Sequence, residues 1–195
     1  MNNKRDEIIN ACAALYETMS FKDITMREIG NALPFARSTI YNYFKTKDEI
    51  FLALLQREYE LWSQELELIN ASSPDEFAKQ LSQSLEKRGR LLKLMSMNHF
   101  DMEANSRLEN LIEFKRAYGK SMQAVAKCLE KFCPAMSGQD RQDFIYSFFP
   151  FVYGIYPYVN VSQKQRDAMR EAGVNYVYLN IYEITYACVR KLLKI

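Results

Sequence analysis

Residues 25–47, which read TMREIGNALPFARSTIYNYFKTK, decide the fold of this chain. Two short segments with helical spacing of their apolar residues, predicted at 26–33 and 37–44, are separated by a turn at 34–36. A longer segment with helical periodicity, 4–20, precedes them. A long helix followed by two short helices around a tight turn has the proportions of a helix-turn-helix.

The second short helix carries an outer face of an unusual kind. Ile40 and Phe44 are four residues apart and are predicted to point inward together. The side chains left for the outside are donors, hydroxyls and aromatic rings, namely Arg37, Ser38, Thr39, Tyr41, Asn42 and Tyr43. Groove and phosphate contacts with DNA require such side chains, whereas a solvated helix more often carries Glu and Lys. The pattern therefore predicts a DNA-binding surface.

The distribution of charge supports the prediction of DNA binding only in one short segment of the chain. Residues 1–50 carry seven Lys or Arg and seven Asp or Glu, so this segment is neutral as a whole. Residues 36–47, in contrast, carry three cations and no acid. Since the net charge of the chain is only +2, the DNA-binding interpretation depends on where the cations lie.

The segment 8–51 resembles the DNA-binding head of TetR-type (tetracycline-repressor-like) regulators. Their pattern has an Ala-rich first helix, a Phe after a turn, a Thr, an Ile-Ala pair, a Gly-Val-Ser turn, then Leu-Tyr-x-x-Phe and a Lys. The matching residues here are Ala11, Ala13, Phe21, Thr25, Ile29, Ile40, Tyr41, Phe44 and Lys47. The resemblance covers about a quarter of the chain, and it is specific because the spacing holds across several elements.

The resemblance implies a role for each residue of the head. Thr25 and Arg27 are expected near backbone phosphate, and Lys47 is expected to hold phosphate at the N-terminus of the next helix. The side chains expected to enter or flank the major groove are Arg37, Ser38, Thr39, Tyr41, Asn42 and Tyr43.

The turn departs from the family pattern, because Pro34-Phe35-Ala36 replaces Gly-Val-Ser. Pro34 cannot adopt the positive φ that Gly allows, and Ala36 cannot cap the following helix as Ser would. Gly30 also replaces the usual Ala of the Ile-Ala pair.

The whole chain is predicted to be all-α, with a three-helix head followed by a helical bundle that dimerises. Helix-forming residues dominate, and only six Gly and five Pro interrupt the chain. Ser or Thr followed three residues later by Glu or Gln predicts helix starts at Thr25, Thr46, Ser73, Ser106 and Ser162. The predicted helices after the head are 47–69, 74–88, 90–99, 106–132, 139–157, 163–171 and 176–193. We expect a head of 1–46 and a body of 47–195.

The last predicted helix has more apolar surface than one core can cover. One apolar face holds Val177, Ile181, Ile184 and Cys188, and a second holds Tyr178, Tyr182, Val189 and Leu193. A helix that is apolar on two sides is buried against two things, here the body core and a second subunit. The first face is the candidate seam of a homodimer, and the second is the alternative. The resemblance implies dimerisation through 139–157 and 176–193, which would present two heads to a palindromic operator.

The body is rich in aromatic and Met side chains, which suit a cavity for an apolar or aromatic small-molecule effector. The candidate lining residues are Tyr59, Trp62, Met95, His99, Phe100, Tyr118, Met122, Phe149 and Tyr153. Simple core packing is the alternative for each of them. His99 is the only histidine, which excludes a site built from several histidines, and no metal or other cofactor is expected.

Three further features concern the compartment and the class of protein. The four cysteines lack C-x-x-C spacing and are interpreted as buried thiols in a reducing cytoplasm. The uncharged stretch 144–163 contains two Pro, a Gly and four Tyr, so a buried helix is predicted there and no membrane partner is expected. No G-x-G-x-x-G, P-loop, G-x-S-x-G or H-E-x-x-H occurs, so an enzyme is not expected.

Together these features predict a bacterial repressor that a small molecule releases from double-stranded operator DNA. The alternative is an interaction protein that kept the helix-turn-helix fold and lost its affinity for DNA. Pro34 and Ala36, which depart from the family's turn, are the support for that alternative.

Overall fold

The structure is a computed structural model that describes residues 4–97 and 99–195. Within these residues the chain forms ten α-helices, one 3₁₀ helix and no strand, which confirms the all-α prediction. The 3₁₀ helix is Arg37–Asn42, and the α-helices are α1 (Lys4–Thr18), α2 (Met26–Asn31), α3 (Lys47–Glu67), α4 (Pro74–Glu86), α5 (Gly89–Met95), α6 (His99–Ala104), α7 (Leu108–Phe132), α8 (Gly138–Val159), α9 (Gln163–Glu171) and α10 (Ile181–Leu193).

Side-chain caps fix most helix starts where the sequence predicts them. Four capping residues accept a hydrogen bond from the amide three residues on, namely Thr25, Thr46, Ser73 and Ser162. Each cap satisfies an amide that has no partner within the first helical turn. The prediction for Ser106 is wrong. Its hydroxyl donates to the Met102 carbonyl at 2.7 Å, and α7 begins only at Leu108.

Two helices in the body differ from their predicted ranges by four or five residues at one end. The segment predicted at 90–99 forms α5, which ends at Met95. The last helix, predicted from residue 176, begins at Ile181 because Asn180 forms a capping box with Glu183. The Asn180 side-chain oxygen accepts from the Glu183 amide at 2.8 Å, and the Glu183 carboxylate accepts from the Asn180 amide at 2.9 Å. Val177 therefore lies in a non-helical segment, 174–180, that precedes α10.

The described chain divides into two compact units. The first unit contains residues 4–60 and 99–119, and the second contains residues 61–97 and 120–195. Both α3 and α7 are continuous helices that supply residues to each unit. The functional boundary predicted near residue 46 stays a prediction.

Each unit has its own apolar core. In the first unit, the ring centroid of Phe51 lies 5.1 Å from that of Tyr16 and 4.8 Å from that of Phe21, both in edge-to-face geometry. In the second unit, α10 packs against α4 and α8 and buries Val189 and Leu193. Aromatic pairs of this geometry add to the free energy gained from burial.

The uncharged stretch at 144–163 lies mostly within α8, but only one side of this helix is buried, so the prediction of a buried helix holds for that side alone. Phe144, Phe148 and Phe149 are buried, and Pro150 and Pro157 lie inside the helix. In the part of the chain that the structure describes, no helix has both the length and the apolar character needed to cross a bilayer.

Candidate nucleic-acid interface

The 3₁₀ helix presents the outer face that the sequence predicts. Ile40 and Phe44 are 0% and 1% exposed and anchor this segment in the core of the first unit. The remaining side chains differ in exposure: Arg37, Ser38, Tyr41 and Asn42 are exposed, and Thr39 and Tyr43 are half-buried. The segment therefore offers donors, hydroxyls and rings to solvent on the side away from its two anchors.

The turn before this helix is built without left-handed backbone. Among the described non-glycine residues only Lys194 has a positive φ, so Pro34 fits a turn that avoids this region. Ala36 precedes the helix with φ −58° and ψ 134° and makes no side-chain capping bond. Instead the Thr39 amide donates to the Ala36 carbonyl at 2.9 Å, the i to i+3 pattern of a 3₁₀ helix. The prediction of a helix over 37–44 is corrected to a 3₁₀ helix over Arg37–Asn42.

Gly30 of α2 lies against the stem of the Arg37 side chain. A Cβ atom at Gly30 would lie 2.7 Å from Cγ, 3.0 Å from Cδ and 3.1 Å from Cβ of Arg37. Non-bonded carbon atoms pack best at about 3.5–4.0 Å. A methyl group at position 30 would therefore displace Arg37, so the glycine determines the path of that side chain.

Thr25 and Arg27 stand exposed at the start of α2. The Thr25 oxygen accepts from the Arg27 amide at 3.2 Å, and its hydroxyl pairs with the Glu28 carboxylate. The Arg27 side chain is 73% exposed and its Nε lies 3.3 Å from a Glu28 oxygen. An exposed pair of this kind contributes little to stability, so the Arg27 guanidinium is available to an external anion.

Lys47, at the start of α3, is engaged within the first unit. Its Nζ donates to the carbonyl of Phe21 at 2.6 Å and to that of Ile24 at 3.0 Å. The same ammonium lies 4.0 Å from the centroid of the Phe21 ring. These bonds tie α3 to the loop between α1 and α2, and they use two of the three donors of an ammonium group. A phosphate contact by Lys47 stays a prediction.

Arg107, just before α7, belongs to this region although no pattern in the sequence indicates it. Its Nε and Nη2 donate to the two carboxylate oxygens of Glu49 at 2.7 and 3.0 Å, and Nη2 also donates to the Tyr43 carbonyl at 2.9 Å. Burial acts to raise the pKa of Glu49, but hydrogen bonds from Arg107 and from the Lys45 amide outweigh burial and hold this pKa below its usual value. Glu49 and Arg107 are 58 residues apart, so no local pattern could reveal the pair.

The candidate ligand residues fall in both units. Tyr59, His99, Phe100 and Tyr118 belong to the first unit, and Trp62, Met95, Met122, Phe149 and Tyr153 belong to the second. In the first unit Tyr59 is fully buried, and its ring centroid lies 5.5 Å from that of Tyr118. Burial raises the pKa of Tyr118. Phe100, in contrast, is 86% exposed.

In the second unit, Trp62 is the candidate ligand residue at which burial, a hydrogen bond and a ring contact come together. It is 0% exposed, its Nε1 donates to the Ser84 hydroxyl at 3.0 Å, and its ring centroid lies 6.0 Å from that of Phe149. These contacts place both rings in the core. Their role as ligand contacts stays a prediction.

The second unit also contains an open apolar cavity of about 470 Å³ that no sequence pattern predicts. Its walls come from the end of α8, from α9 and from the segment before α10, and they include Tyr158, Met169, Tyr176 and Tyr178. None of the candidate ligand residues lines this cavity. Its volume falls within the range of about 300–1,000 Å³ that small-molecule sites occupy.

The candidate dimer face lies on the outer side of α10. Thr185, Val189 and Leu193 are the buried side of this helix. The candidate residues of the helix, Ile181, Ile184 and Cys188, are only half-buried. Val177, the fourth candidate, is 74% exposed in the segment before the helix. The second apolar face is therefore buried through Val189 and Leu193, whereas Tyr182 is half-buried and Tyr178 precedes the helix.

Helix α8, which packs against α10, carries an exposed stripe of its own. The stripe consists of Tyr146, Pro150, Gly154 and Pro157, spaced so that they share one side of the helix. A Cβ atom at Gly154 would meet no atom within 4 Å. An uncovered stripe with apolar side chains is typical of an interaction surface.

Comparison with family models matches two adjoining segments of the chain. Residues 8–54 match the model described as bacterial regulatory proteins, tetR family. Residues 54–187 match the tetracyclin repressor-like C-terminal domain. No curated protein matches the chain.

Solved structures show the same fold. The chain is similar to the fatty acid degradation regulator FadR from Bacillus halodurans, with 14% identity and a TM-score of 0.63 over 99% of this chain and 96% of that one. A TetR/AcrR-family regulator from Thermobifida fusca has 16% identity and a TM-score of 0.63 over 98% and 97%. The repressor AlkX from Dietzia, implicated in the biodegradation of n-alkanes, has 11% identity and a TM-score of 0.55 over 100% and 97%.

Proposed function

The chain belongs to the tetR family of bacterial regulatory proteins, and from this membership we propose that it is a transcription repressor that binds its operator as a homodimer. Residues 1–46 form the DNA-binding head, and residues 47–195 form the body that dimerises and binds an effector. A closed two-fold dimer presents two equivalent 3₁₀ helices, so the operator is an inverted repeat.

The observation that carries this proposal is the outer face of the 3₁₀ helix. Arg37, Ser38 and Asn42 are exposed there while Ile40 is fully buried beneath them. Such side chains make the single and bidentate hydrogen bonds by which base edges are distinguished in the major groove. The residues proposed to contact DNA are Thr25, Arg27, Arg37, Ser38, Thr39, Tyr41, Asn42, Tyr43 and Lys47.

The seam of the dimer is proposed to consist of two helix faces of the second unit. Ile181, Ile184 and Cys188 supply the face on α10, and the exposed stripe of α8 supplies the other. Support comes from their partial exposure, since the opposite side of α10 is already buried. Apolar side chains that stay half-exposed in one protomer gain free energy when a second copy covers them.

The effector is proposed to be a small apolar or aromatic molecule. Support comes from the aromatic pairs Tyr59–Tyr118 and Trp62–Phe149 in the two units. Two proteins with the same fold are described in connection with apolar molecules: FadR is a regulator of fatty acid degradation, and AlkX is implicated in the biodegradation of n-alkanes.

A helix-turn-helix protein without DNA affinity is the second candidate function. The observation that favours it is the uncapped turn, since Ala36 makes no side-chain bond to the 3₁₀ helix. A Ser at this position, as in the family pattern, would satisfy one of the free amides of the first turn. The two candidates differ in whether the purified protein binds duplex DNA.

The proposal is tested by selecting duplexes from a random DNA pool with the purified protein and measuring their affinity at several salt concentrations. We expect an inverted repeat whose binding weakens as salt rises. Arg37→Ala should cost about 1–3 kcal/mol and relax the preference at one position per half-site. The matched control is Arg170→Ala, which removes an exposed arginine of α9 and should leave binding unchanged.

Two results would change this assignment. Failure to enrich any duplex would favour the interaction protein over the repressor. A uniform loss of affinity across all sequences in Arg37→Ala would show that this side chain contacts phosphate, not a base edge.

A further inference from the structure

The carboxylate of Glu49 is enclosed at the start of α3, where its side chain is 1% exposed. Four hydrogen bonds reach it. Three come from Arg107, through the backbone amide at 3.1 Å, Nε at 2.7 Å and Nη2 at 3.0 Å. The fourth comes from the Lys45 amide at 2.6 Å. A buried carboxylate with this many donors remains ionised and fixes the position of each donor.

The same arginine also holds the exit of the 3₁₀ helix. Its Nη2 donates to the carbonyl of Tyr43, the residue that follows the last residue of this helix, at 2.9 Å. The neighbouring Thr46 hydroxyl donates to the Asn105 carbonyl at 3.3 Å. The segment 43–46 is thus held at three points, through Arg107, the Glu49 carboxylate and Asn105.

We propose that Arg107 is a positioning residue for operator recognition, one that fixes the orientation of the 3₁₀ helix by holding the Tyr43 carbonyl and the Glu49 carboxylate. The inference rests on the proposed function. It assigns a role in operator recognition to a residue that lies outside the helix-turn-helix. Arginine suits this role because its rigid fork reaches two acceptors at once, which the point charge of lysine does not reproduce.

The two acceptors of Arg107 have different roles. The bond to the Glu49 carboxylate contributes to stability, and the bond to the Tyr43 carbonyl contributes to the position of the 3₁₀ helix. Loss of Arg107 leaves the Glu49 charge buried without its main partner, which destabilises the fold whatever the role of the 3₁₀ helix. Loss of the bond to the Tyr43 carbonyl, in contrast, frees the exit of the helix. Removing the charge of Glu49 at the same time cancels the first effect and leaves the second.

The experiment compares Arg107→Met, Glu49→Gln and the double variant in the full-length protein, by urea denaturation and by affinity for the selected operator. Methionine preserves the apolar stem, and glutamine keeps an acceptor for the Lys45 amide. Arg107→Met should lower both stability and operator affinity, with the affinity falling about 10- to 100-fold. The double variant should regain stability while its affinity stays low. The salt dependence of binding should be that of the wild type, because the Arg107 guanidinium binds a carboxylate and a carbonyl.

The control is Arg116→Met, which removes another arginine of the first unit from an exposed pair with Glu113 and should change neither property. Recovery of affinity together with stability in the double variant would overturn the inference, since Arg107 would then serve stability alone. A salt slope reduced by about one unit in Arg107→Met would also overturn it, because Arg107 would then contact phosphate directly. Absence of DNA binding by the wild type would overturn the proposed function and this inference with it.

Discussion

Gly30 and Arg37 meet across the turn between α2 and the 3₁₀ helix, with only 2.7 Å between Cγ of Arg37 and the place of a Cβ atom at Gly30. A glycine inside a helix costs about 0.5–1 kcal/mol relative to alanine. The tetR pattern has alanine at this position, so this chain gives up helix stability where the family does not. What it gains is room for the stem of the Arg37 side chain, so Gly30 and the position of Arg37 are one feature.

Gly30→Ala is expected to strengthen α2 and to displace Arg37. The preference at the base pair that Arg37 contacts should then weaken by up to about 1–3 kcal/mol, measured as binding to operators that differ at single base pairs. In an Arg37→Ala background the same change should leave the preference profile as it is, because the group that it displaces is gone. Identical profiles for Gly30→Ala and the wild type would show that Arg37 accommodates the methyl group.

At the scale of the helices, the start of a helix is predictable from the sequence where a side chain caps it, because the capping residue bonds an amide only three residues away. Thr25 and Ser73 accept the amide bonds that their patterns predict. The start of α10 is not predictable from the Ser or Thr pattern, because its cap is Asn180. The apolar residues before Asn180 also keep a helical spacing, although their segment is not helical. The 3₁₀ helix was predicted as α, because apolar spacing over so short a segment does not separate the two.

The candidate site likewise contains features that follow from neighbouring residues in the sequence and contacts between residues that are far apart in it. The inward pair Ile40 and Phe44 and the exposed Arg37 are predictable from spacing within one helix. The bond between Arg107 and the Tyr43 carbonyl joins residues 64 positions apart, and it exists only because the chain folds back on itself. Long-range polar pairs of this kind leave no periodicity in the sequence.

The faces of α8 and α10 predict how two protomers associate. Gly154→Glu should leave the protomer folded, since a Cβ atom there meets nothing within 4 Å and glutamate favours a helix more than glycine does. In the dimer the same change places an unpaired charge in the seam, so sedimentation at micromolar concentration should show a monomer. Ile184→Glu on α10 should act in the same way.

The control for this substitution lies on the same helix. Gly138 is the first residue of α8 and is equally unobstructed, so Gly138→Glu should remain dimeric. A wild-type protein that sediments as a monomer would refute the dimer. A Gly154→Glu variant that stays dimeric would move the seam away from the α8 stripe.

At the scale of the whole molecule, repression that a ligand relieves requires the binding of DNA and of ligand to be linked. A ligand that releases the operator must bind the DNA-free dimer more tightly than the DNA-bound one, typically by a factor of about 5–150. The candidate ligand residues belong to both units, and the continuous helix α3 carries Tyr59 in the first and Trp62 in the second. This helix begins at Lys47, five residues after the end of the 3₁₀ helix, so it is the element through which such linkage is expected.

An effector of the proposed class is expected to change the emission of Trp62 and to release operator DNA over the same range of concentration. Trp62 is the only tryptophan, and it is fully buried with its Nε1 bound to Ser84, so its emission reports on the surroundings of this one side chain. A long-chain fatty acid, an n-alkane and an aromatic acid are the probes, titrated into the protein–operator complex. Trp62→Phe is the control for the signal, because it removes the only tryptophan, so any emission change that remains in it comes from the probe. Release of DNA with silent Trp62 emission would move the ligand site away from this side chain. If no apolar or aromatic probe affects operator binding, the effector proposed here is of the wrong class.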